Sequence, residues 1–201
     1  MVDIGMERPL NIKIIFGSTR PNRFSEFPGR WIFDMVKKRE GIQAEILDLR
    51  EYEMPFFNES ATPSSKKEPY TNEAVVRWTG KVKEADGFIV IAPEYNRGTP
   101  AVLKNALDYA YQEWNLKPIG FVSYGVVGGA RSVEHLRLSS VELQMVPIRN
   151  AVHIPAHWTL REEAGTLKPG ALDAYGKPAE ALLDQLLWWA GILQEARAKG
   201  K

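Results

Sequence analysis

The sequence predicts a doubly wound α/β fold, with a parallel sheet of five strands covered by helices on both faces. Short apolar strand patterns alternate along the chain with longer helical patterns, which is the order that such folds require. One strand, Asp86 to Ala92, is rich in β-branched residues, as expected where helices cover both faces of a sheet. The 201 residues suit one domain, because domains commonly have about 100 to 200 residues.

The first elements form a β-α-β unit after a polar leader that ends at Pro9. Leu10 to Phe16 is the first predicted strand. The apolar face of the helix that follows consists of Trp31, Ile32, Met35 and Val36. Gly41 stops this helix, and Ile42 to Leu49 is the second strand. Because right-handed crossovers join parallel strands, these two strands are expected to lie parallel in one sheet.

The middle of the chain contains a long loop, two helices and the third strand. Arg50 to Tyr70 is loop-like but too apolar for a free linker, so we expect it to pack on the surface. A helix over Asn72 to Ala85 precedes the strand Asp86 to Ala92. In the next helix Thr99 is the expected N-cap, and Pro100 suits the first helical position.

The last part of the chain continues the alternation. The predicted elements are a strand over Pro118 to Tyr124, a helix over Ala130 to Gln144, a strand over Val146 to Ile154 and a helix over Ala179 to Ala198. For five parallel strands, the flavodoxin-like order 2-1-3-4-5 is a common arrangement. We therefore expect one domain over residues 1–201, with residues 156–201 as a C-terminal extension.

Composition excludes several classes of function. With 26 Lys and Arg against 25 Asp and Glu, the formal net charge is +1, so no strong field draws in nucleic acid or an acidic membrane. The absence of cysteine excludes disulfides, iron–sulfur clusters and thiol chemistry. Without a membrane-spanning apolar run or a signal peptide, a cytoplasmic protein is expected. His135, His153 and His157 lack a metal-ligand spacing, so we predict no metal site and interpret them as structural or surface residues.

The loop after the first strand, residues 17–25, has the composition of a phosphate cradle. Three hydroxyl side chains and two arginines offer donors and positive charge: Ser18, Thr19, Ser25, Arg20 and Arg23. The loop lacks the patterns of a nucleoside-triphosphate site and of a dinucleotide turn, so a single terminal phosphate fits better. The alternative is a polar turn with a serine N-cap and two solvated arginines.

Polar loops also follow the third and fourth strands. Pro93 to Gly98 (PEYNRG) lies outside the carboxyl end of a strand, where ligands bind in open α/β sheets. Ser123 to Arg131 contains glycines that let the backbone approach a flat ring closely. Taken alone, each loop can also be an ordinary turn rich in proline or glycine. Ser123 is not predicted to be a hydrolase nucleophile, because Phe121 stands where the G-x-S-x-G motif requires glycine.

The run from Pro93 to Tyr109, PEYNRGTPAVLKNALDY, resembles the motif of the NADPH-dependent FMN reductase family. The resemblance extends roughly from Leu10 to Pro155 and implies a flavodoxin-like fold. It also implies FMN and NADPH as cofactors, with the phosphate on the first loop and the flavin ring at the second and third. The implied cofactor-binding residues are Ser18, Thr19, Arg20, Asn22, Arg23, Phe24, Ser25, Pro93, Glu94, Tyr95, Asn96, Ser123, Tyr124, Gly125, Gly128 and Gly129.

The resemblance further implies an oxidoreductase that takes a hydride from a nicotinamide nucleotide onto FMN and passes electrons to a small acceptor. Quinones, free flavins, azo compounds and metal oxyanions are candidate acceptors. The flavin supplies this chemistry, so no catalytic side chain is named. In the family that the chain resembles, the helix after Thr99 helps to form a dimer, so the resemblance also implies a homodimer or homotetramer. Two alternatives stay open, a flavodoxin-like electron carrier and a flavin-free binding module. The near-neutral charge favours the reductase over the carrier, because such carriers are commonly acidic.

Overall fold

One parallel sheet of five strands forms the centre of the computed structural model, which describes residues 8–200. The strands are β1 (Leu10–Phe16), β2 (Ile42–Asp48), β3 (Gly87–Pro93), β4 (Pro118–Gly125) and β5 (Val146–Pro155). The helices are α1 (Glu26–Lys37), α2 (Glu73–Glu84), α3 (Ala101–Asp108), α4 (Ala130–Glu142) and α5 (Gly176–Ala198). Single turns of 3₁₀ helix lie at Leu49–Glu51, His157–Leu160 and Asp173–Tyr175. The first seven residues, which are most of the predicted polar leader, and Lys201 lie outside the described part of the chain.

The strand order is β2-β1-β3-β4-β5 with every pair parallel, which confirms the predicted fold class and order. Phe16 pairs with Ile91, Ala92 with Ser123, and Ser123 with His153. The carboxyl ends of these strands therefore line one edge of the sheet. The winding reverses between β1 and β3, and such a switch point is where ligands bind in doubly wound folds.

Helices cover both faces of the sheet. The first face carries α2, α3 and α4, packed around buried residues such as Trp78 and Leu107. The second face carries α1 and α5, packed around Ile32 and Leu186. The predicted C-terminal extension, residues 156–201, thus supplies half of one helical layer. Between residues 8 and 200, no helix combines the length and the apolar character that a membrane span requires.

The sequence placed the start of α3 one residue too early, and the prediction of Thr99 as its N-cap was wrong. Pro100 occupies the N-cap position, where its carbonyl oxygen accepts from the N–H groups of Leu103 at 3.1 Å and Lys104 at 3.0 Å. The hydroxyl of Thr99 instead lies 3.0 Å from the hydroxyl of Ser132 on α4. The Thr99 side chain therefore contacts α4 and does not cap α3.

Residues 50–70 pack on the surface, as predicted. The side chain of Asn105 accepts from the N–H of Phe57 at 2.9 Å and donates to the carbonyl of Pro55 at 2.8 Å. The hydroxyl of Tyr109 donates to the same carbonyl at 3.0 Å. These three bonds fix the loop against α3. The loop is therefore a packed part of the domain and not a free linker.

A buried carboxylate ties both ends of the described chain to the sheet. Asp86, only 1% exposed, accepts from Arg8 at 2.7 and 2.9 Å and from Arg197 of α5 at 2.7 Å. It also accepts from the N–H of Asn11 at 2.9 Å and from Gln194 at 3.1 Å. Burial by itself would raise the pKa of Asp86, but the hydrogen bonds from Arg8 and Asn11 outweigh burial and lower it. The sequence had assigned Asp86 to the third strand, whereas the structure places it just before β3.

We expect Asp86→Asn to lower the free energy of unfolding by about 3 kcal/mol, because it leaves partly buried guanidinium groups without their counter-charge. Urea denaturation followed by circular dichroism measures the change. The control is Asp34→Asn on the exposed side of α1, which should change the free energy by less than about 0.5 kcal/mol. Equal stability of the two variants would contradict the stabilising role of Asp86.

Candidate functional site

The loops at the carboxyl ends of β1, β3, β4 and β5 enclose a cleft of about 220 Å³. This volume is somewhat below the roughly 300 to 1,000 Å³ of small-molecule sites, and the cleft continues into open solvent at its mouth. The lining residues are Arg20, Pro21, Asn22, Arg23, Phe24, Pro93, Glu94, Tyr95, Tyr124, His157, Trp158 and Arg161. The structure thus brings the three predicted loops together and adds a fourth wall after β5.

The first loop is organised around the hydroxyl of Ser18. This oxygen lies 2.7 Å from the Tyr95 hydroxyl of the second loop and accepts from the N–H of Arg20 at 3.3 Å. The guanidinium of Arg20 lies 5.5 Å from the centre of the Tyr95 ring, and the residue is exposed. Gly17 permits the close approach of α3, since a Cβ there would lie 2.8 Å from Leu103 Cδ2. Arg20 is therefore available to an anion in the cleft.

The remaining residues of the first loop differ in exposure. Thr19 and Asn22 are exposed, and Asn22 has a left-handed backbone with φ of 52°. Ser25 is buried at the N-cap position of α1, but its side chain caps no N–H group. Phe24 is 3% exposed and contacts Tyr124 edge to face, with ring centres 5.1 Å apart. The first loop therefore offers both exposed polar groups and a buried aromatic floor.

Arg23 holds the first loop in place through bonds within the protein. Its guanidinium is buried and directs all five N–H groups at oxygen atoms of Ser18, Glu26 and Asp48. Burial would raise the pKa of Asp48, but hydrogen bonds from Arg23 and from the N–H of Arg50 outweigh burial and lower it. With two carboxylates and a carbonyl as partners, Arg23 has no N–H left for a phosphate. Arg23 is therefore neither the solvated cation of the alternative interpretation nor a direct phosphate ligand of the predicted kind, because its charge is neutralised within the protein.

The second loop is a two-residue hairpin turn under backbone strain. Tyr95 and Gly98 exchange two N–H to carbonyl bonds, each 3.0 Å long. Between them, Asn96 and Arg97 have φ of 48° and 69°, as the central residues of a type I′ turn require. Positive φ is uncommon for residues other than glycine, and such strain concentrates at functional sites. The turn carries Asn96 past Tyr95, outside the lining of the main cleft.

The third loop approaches its strand so closely that only glycine fits. A Cβ on Gly129 would lie 2.7 Å from Ser123 Cβ and 2.8 Å from the N of Tyr124, and its φ is +77°. Ser123 is fully buried beneath the loop, where its hydroxyl donates to the carbonyl of Gly128 at 2.6 Å and lies 2.8 Å from His153 Nδ1. The Ser123 side chain thus shapes the loop from below and does not face the cleft.

Glu94 links the second loop to α4. Its carboxylate accepts from the N–H of Arg131 at 3.1 Å and from the Arg131 guanidinium at 2.6 Å. An acidic group at the first turn of a helix is favourable, because unpaired N–H groups and the helix dipole give that end positive potential. The carboxylate is therefore committed to α4, and only the backbone and the inner part of Glu94 face the cleft.

The wall after β5 was missed by the sequence analysis. His157 contacts Phe24, with ring centres 4.8 Å apart, and Tyr124, with ring centres 4.9 Å apart. Trp158 follows it and is 52% exposed at the mouth of the cleft. His157 was interpreted as a structural or surface residue because it lacks a metal-ligand spacing. Within residues 8–200, no cluster of three or more histidine and acidic side chains could hold a metal.

Buried polar atoms without a hydrogen-bond partner concentrate at this cleft. Four of the five such side-chain atoms in the described chain belong to Ser25, Tyr124, His157 and Arg161. Burial raises the pKa of Tyr124 to about 12, so its hydroxyl stays a donor at neutral pH. Unpaired buried polar groups are costly, so a cluster of them is suited to binding a polar ligand. The phosphate, ribityl hydroxyls and ring edge of FMN supply partners for such a set, so the residues present fit this cofactor.

Three comparisons relate the chain to known proteins. The model of the NADPH-dependent FMN reductase family matches residues 10–159. An NAD(P)H-dependent FMN reductase of Schizosaccharomyces pombe is 35% identical over 146 residues, which are 72% of this chain and 73% of the relative. A quinone reductase of Pseudomonas putida is 27% identical over 148 residues, or 70% of this chain and 74% of the relative. The solved structure of FerB, a flavoenzyme NAD(P)H:(acceptor) oxidoreductase of Paracoccus denitrificans, shares the fold with a TM-score of 0.70, 21% identity and coverage of 90% and 97%.

Relief of strain in the second loop gives a testable prediction. We expect Arg97→Gly to raise the free energy of unfolding by about 1 kcal/mol, because glycine accepts the left-handed conformation that arginine resists. Urea denaturation measures the change. Arg30→Gly inside α1 is the control with opposite sign, and it should lower the free energy by about 1 kcal/mol. A loss of stability in Arg97→Gly would refute strain at this turn.

A second prediction concerns the pH dependence of stability. Burial, with the charges of Arg161 and Arg20, lowers the pKa of His157 below its usual value near 6.5. Between the lowered pKa and about 6.5 the unfolded chain binds a proton that the folded chain does not, so stability falls as pH falls. We expect His157→Gln to remove this loss. Urea denaturation of both proteins between about pH 5 and pH 8 tests it, and parallel stability curves would contradict it.

Proposed function

The chain belongs to the NADPH-dependent FMN reductase family, and on that premise we propose that the cleft between the four loops is its FMN site. The activity that goes with the family is FMN-dependent oxidation of a nicotinamide nucleotide, and this chain is such an oxidoreductase. Membership of this family favours an enzyme over the electron-carrier alternative. The observation that carries the placement of FMN is the cluster of unpaired buried polar atoms at the cleft.

In this proposal the first loop binds the phosphate of FMN. Exposed Thr19, Arg20 and Asn22 and the unpaired hydroxyl of Ser25 stand at or beside the first turn of α1. The backbone N–H groups at that helix start add positive potential. Ser18 orients the loop and Tyr95 through their shared hydrogen bond. These groups give a phosphate both charge and donors.

The flavin ring lies between the second and third loops in the same proposal. Pro93, Glu94 and Tyr95 line the cleft from the second loop, and Tyr124, which pairs with Pro93 in the sheet, lines it beside them. Gly125 follows Tyr124 at the end of β4. Asn96 stays a predicted flavin contact on its sequence position alone, because the strained turn holds it outside the lining of the cleft. Buried Ser123 and Gly129 hold the third loop close to its strand, and Gly128 does so with a left-handed backbone.

FMN held by these three loops would supply the hydride and electron transfer between the nicotinamide nucleotide and the acceptor. The side chains of this chain position the two partners and exclude water. The aromatic floor of Phe24, Tyr124 and His157 removes water from one side of the cleft, while the mouth at Trp158 stays open. An open mouth of this kind suits alternating occupation by nucleotide and acceptor, which is the ping-pong order.

We propose that a quinone or a free flavin is the acceptor, and that NADPH is the preferred nucleotide. The quinone reductase among the relatives supports the first proposal, and the family description supports the second. A homodimer or homotetramer and a cytoplasmic location stay predictions. Exposed Leu138 and Val141, one helical turn apart on α4, offer an apolar surface for a subunit contact.

Anaerobic stopped-flow spectroscopy tests the function. Purified protein should bind FMN, and NADPH should bleach the flavin absorbance at least about tenfold faster than NADH, a difference of about 1.4 kcal/mol in barrier. The reduced protein is then mixed with a quinone, free FMN, an azo dye or a metal oxyanion. We expect the quinone and the flavin to restore the absorbance fastest. Failure of both nucleotides to bleach the flavin would refute the activity, and preferential oxidation by the azo dye or the oxyanion would refute the acceptor.

A further inference from the structure

The proposed phosphate site has fewer free positive charges than its sequence indicates. Of the arginines predicted for the first loop, Arg23 is neutralised by Glu26 and Asp48 and has no N–H left. Arg20 is the other, and it is exposed. The phosphate of FMN carries close to two negative charges at neutral pH. One exposed arginine is a weak match for that charge, so a second cation at the cleft has a reason to exist.

We propose that Arg161, from the segment after β5, is the second cation that binds the FMN phosphate. Its guanidinium reaches back to the first loop and donates from Nη2 to the carbonyl of Asn22 at 3.0 Å. It also lies over the rings of Phe24, at 5.5 Å, and Phe27, at 5.2 Å. Arg161 follows the region that the family model matches, residues 10–159, so it is a feature of this chain beyond that region.

One unpaired atom indicates that Arg161 binds a ligand and does not only join two loops. The Nε of Arg161 is buried and has no hydrogen-bond partner. If Arg161 only joined two loops, its Nε would be expected to have a hydrogen-bond acceptor within the protein, because an unpaired buried charged donor is costly. Ser25 Oγ, at the N-cap of α1 two residues beyond Arg23, is also buried without a partner. A phosphate at the first loop would supply oxygen atoms that accept from the Nε of Arg161.

The local backbone keeps Arg161 in place. It follows the 3₁₀ turn His157–Leu160 and pairs with Leu167 in a short antiparallel bridge. The N–H of Lys168 donates to the carbonyl of Leu160 at 2.9 Å, which closes the same small hairpin. The two phenyl rings beneath the guanidinium restrict its rotation. An arginine held in this way loses little entropy when an anion binds.

This inference rests on the proposed position of the FMN phosphate at the first loop, so the test separates the two. The full-length protein freed of flavin is titrated with FMN and with riboflavin, which is the same molecule without phosphate, and ligand fluorescence gives each dissociation constant. The variants are Arg161→Gln and Arg161→Lys. The control is Arg149→Gln, an exposed arginine on β5. Circular dichroism establishes that each variant folds.

We expect Arg161→Gln to weaken FMN binding about 10- to 100-fold, the effect of losing a charge-assisted hydrogen bond. Riboflavin binding should change less than about threefold, within 1 kcal/mol. Arg161→Lys keeps the charge but not the planar fork, so its FMN affinity should fall between the two. FMN binding to the unaltered protein should weaken with added salt more steeply than binding to Arg161→Gln. Arg149→Gln should match the unaltered protein.

Three results would overturn the proposal. If the unaltered protein binds FMN no more tightly than riboflavin, the phosphate site at the first loop is wrong. If the unaltered protein prefers FMN and Arg161→Gln keeps the same preference, the site stands and the role of Arg161 is refuted. A parallel loss of FMN and riboflavin binding would likewise refute it, since it would show that Arg161 acts only on the shape of the cleft. Should Arg161→Gln fail to fold, Arg161→Lys gives the same comparison.

Discussion

The candidate site depends on one buried guanidinium. Arg23 joins the first loop at the carbonyl of Ser18, the first turn of α1 at Glu26 and the end of β2 at Asp48. The ring of Phe16 at the end of β1 lies 5.0 Å from its charge. Because every N–H is engaged, the loop is fixed before a ligand arrives. A preorganised loop spends less of its binding energy on ordering, so an arginine without a free donor still contributes to anion binding.

The other loops are fixed to one another in the same manner. The first loop meets the second at Ser18 and Tyr95, and the second meets α4 at Glu94 and Arg131. The third loop rests on Ser123, whose hydroxyl is shared with His153 of β5. Each contact joins elements that are distant along the chain but adjacent at one edge of the sheet. The strain at Asn96 and Arg97 persists because these contacts fix both ends of the turn.

The fold and the three predicted loops could be read from the sequence because their determinants are local. Asn72, for example, caps α2 by accepting from two N–H groups within three residues. The errors came from partners far along the chain. Thr99 contacts a hydroxyl 33 residues away, and Arg23 is bound by Asp48 at a separation of 25 residues. His157 went unrecognised although a usable signal existed: it directly follows a strand, and the loop after every parallel strand opens at the ligand edge.

The C-terminal segment contacts the rest of the molecule at both edges of the sheet. At the amino edge of the sheet, Arg197 and Gln194 of α5 bind the buried Asp86. At the carboxyl edge, the segment before α5 reaches the first loop through Arg161. The end of α1 also pairs with α5, through Arg39 and two acidic residues. α1 begins at the proposed phosphate site and shares one layer with α5. If FMN binds there, a substitution that loosens α5 would therefore weaken FMN binding without altering a residue of the cleft.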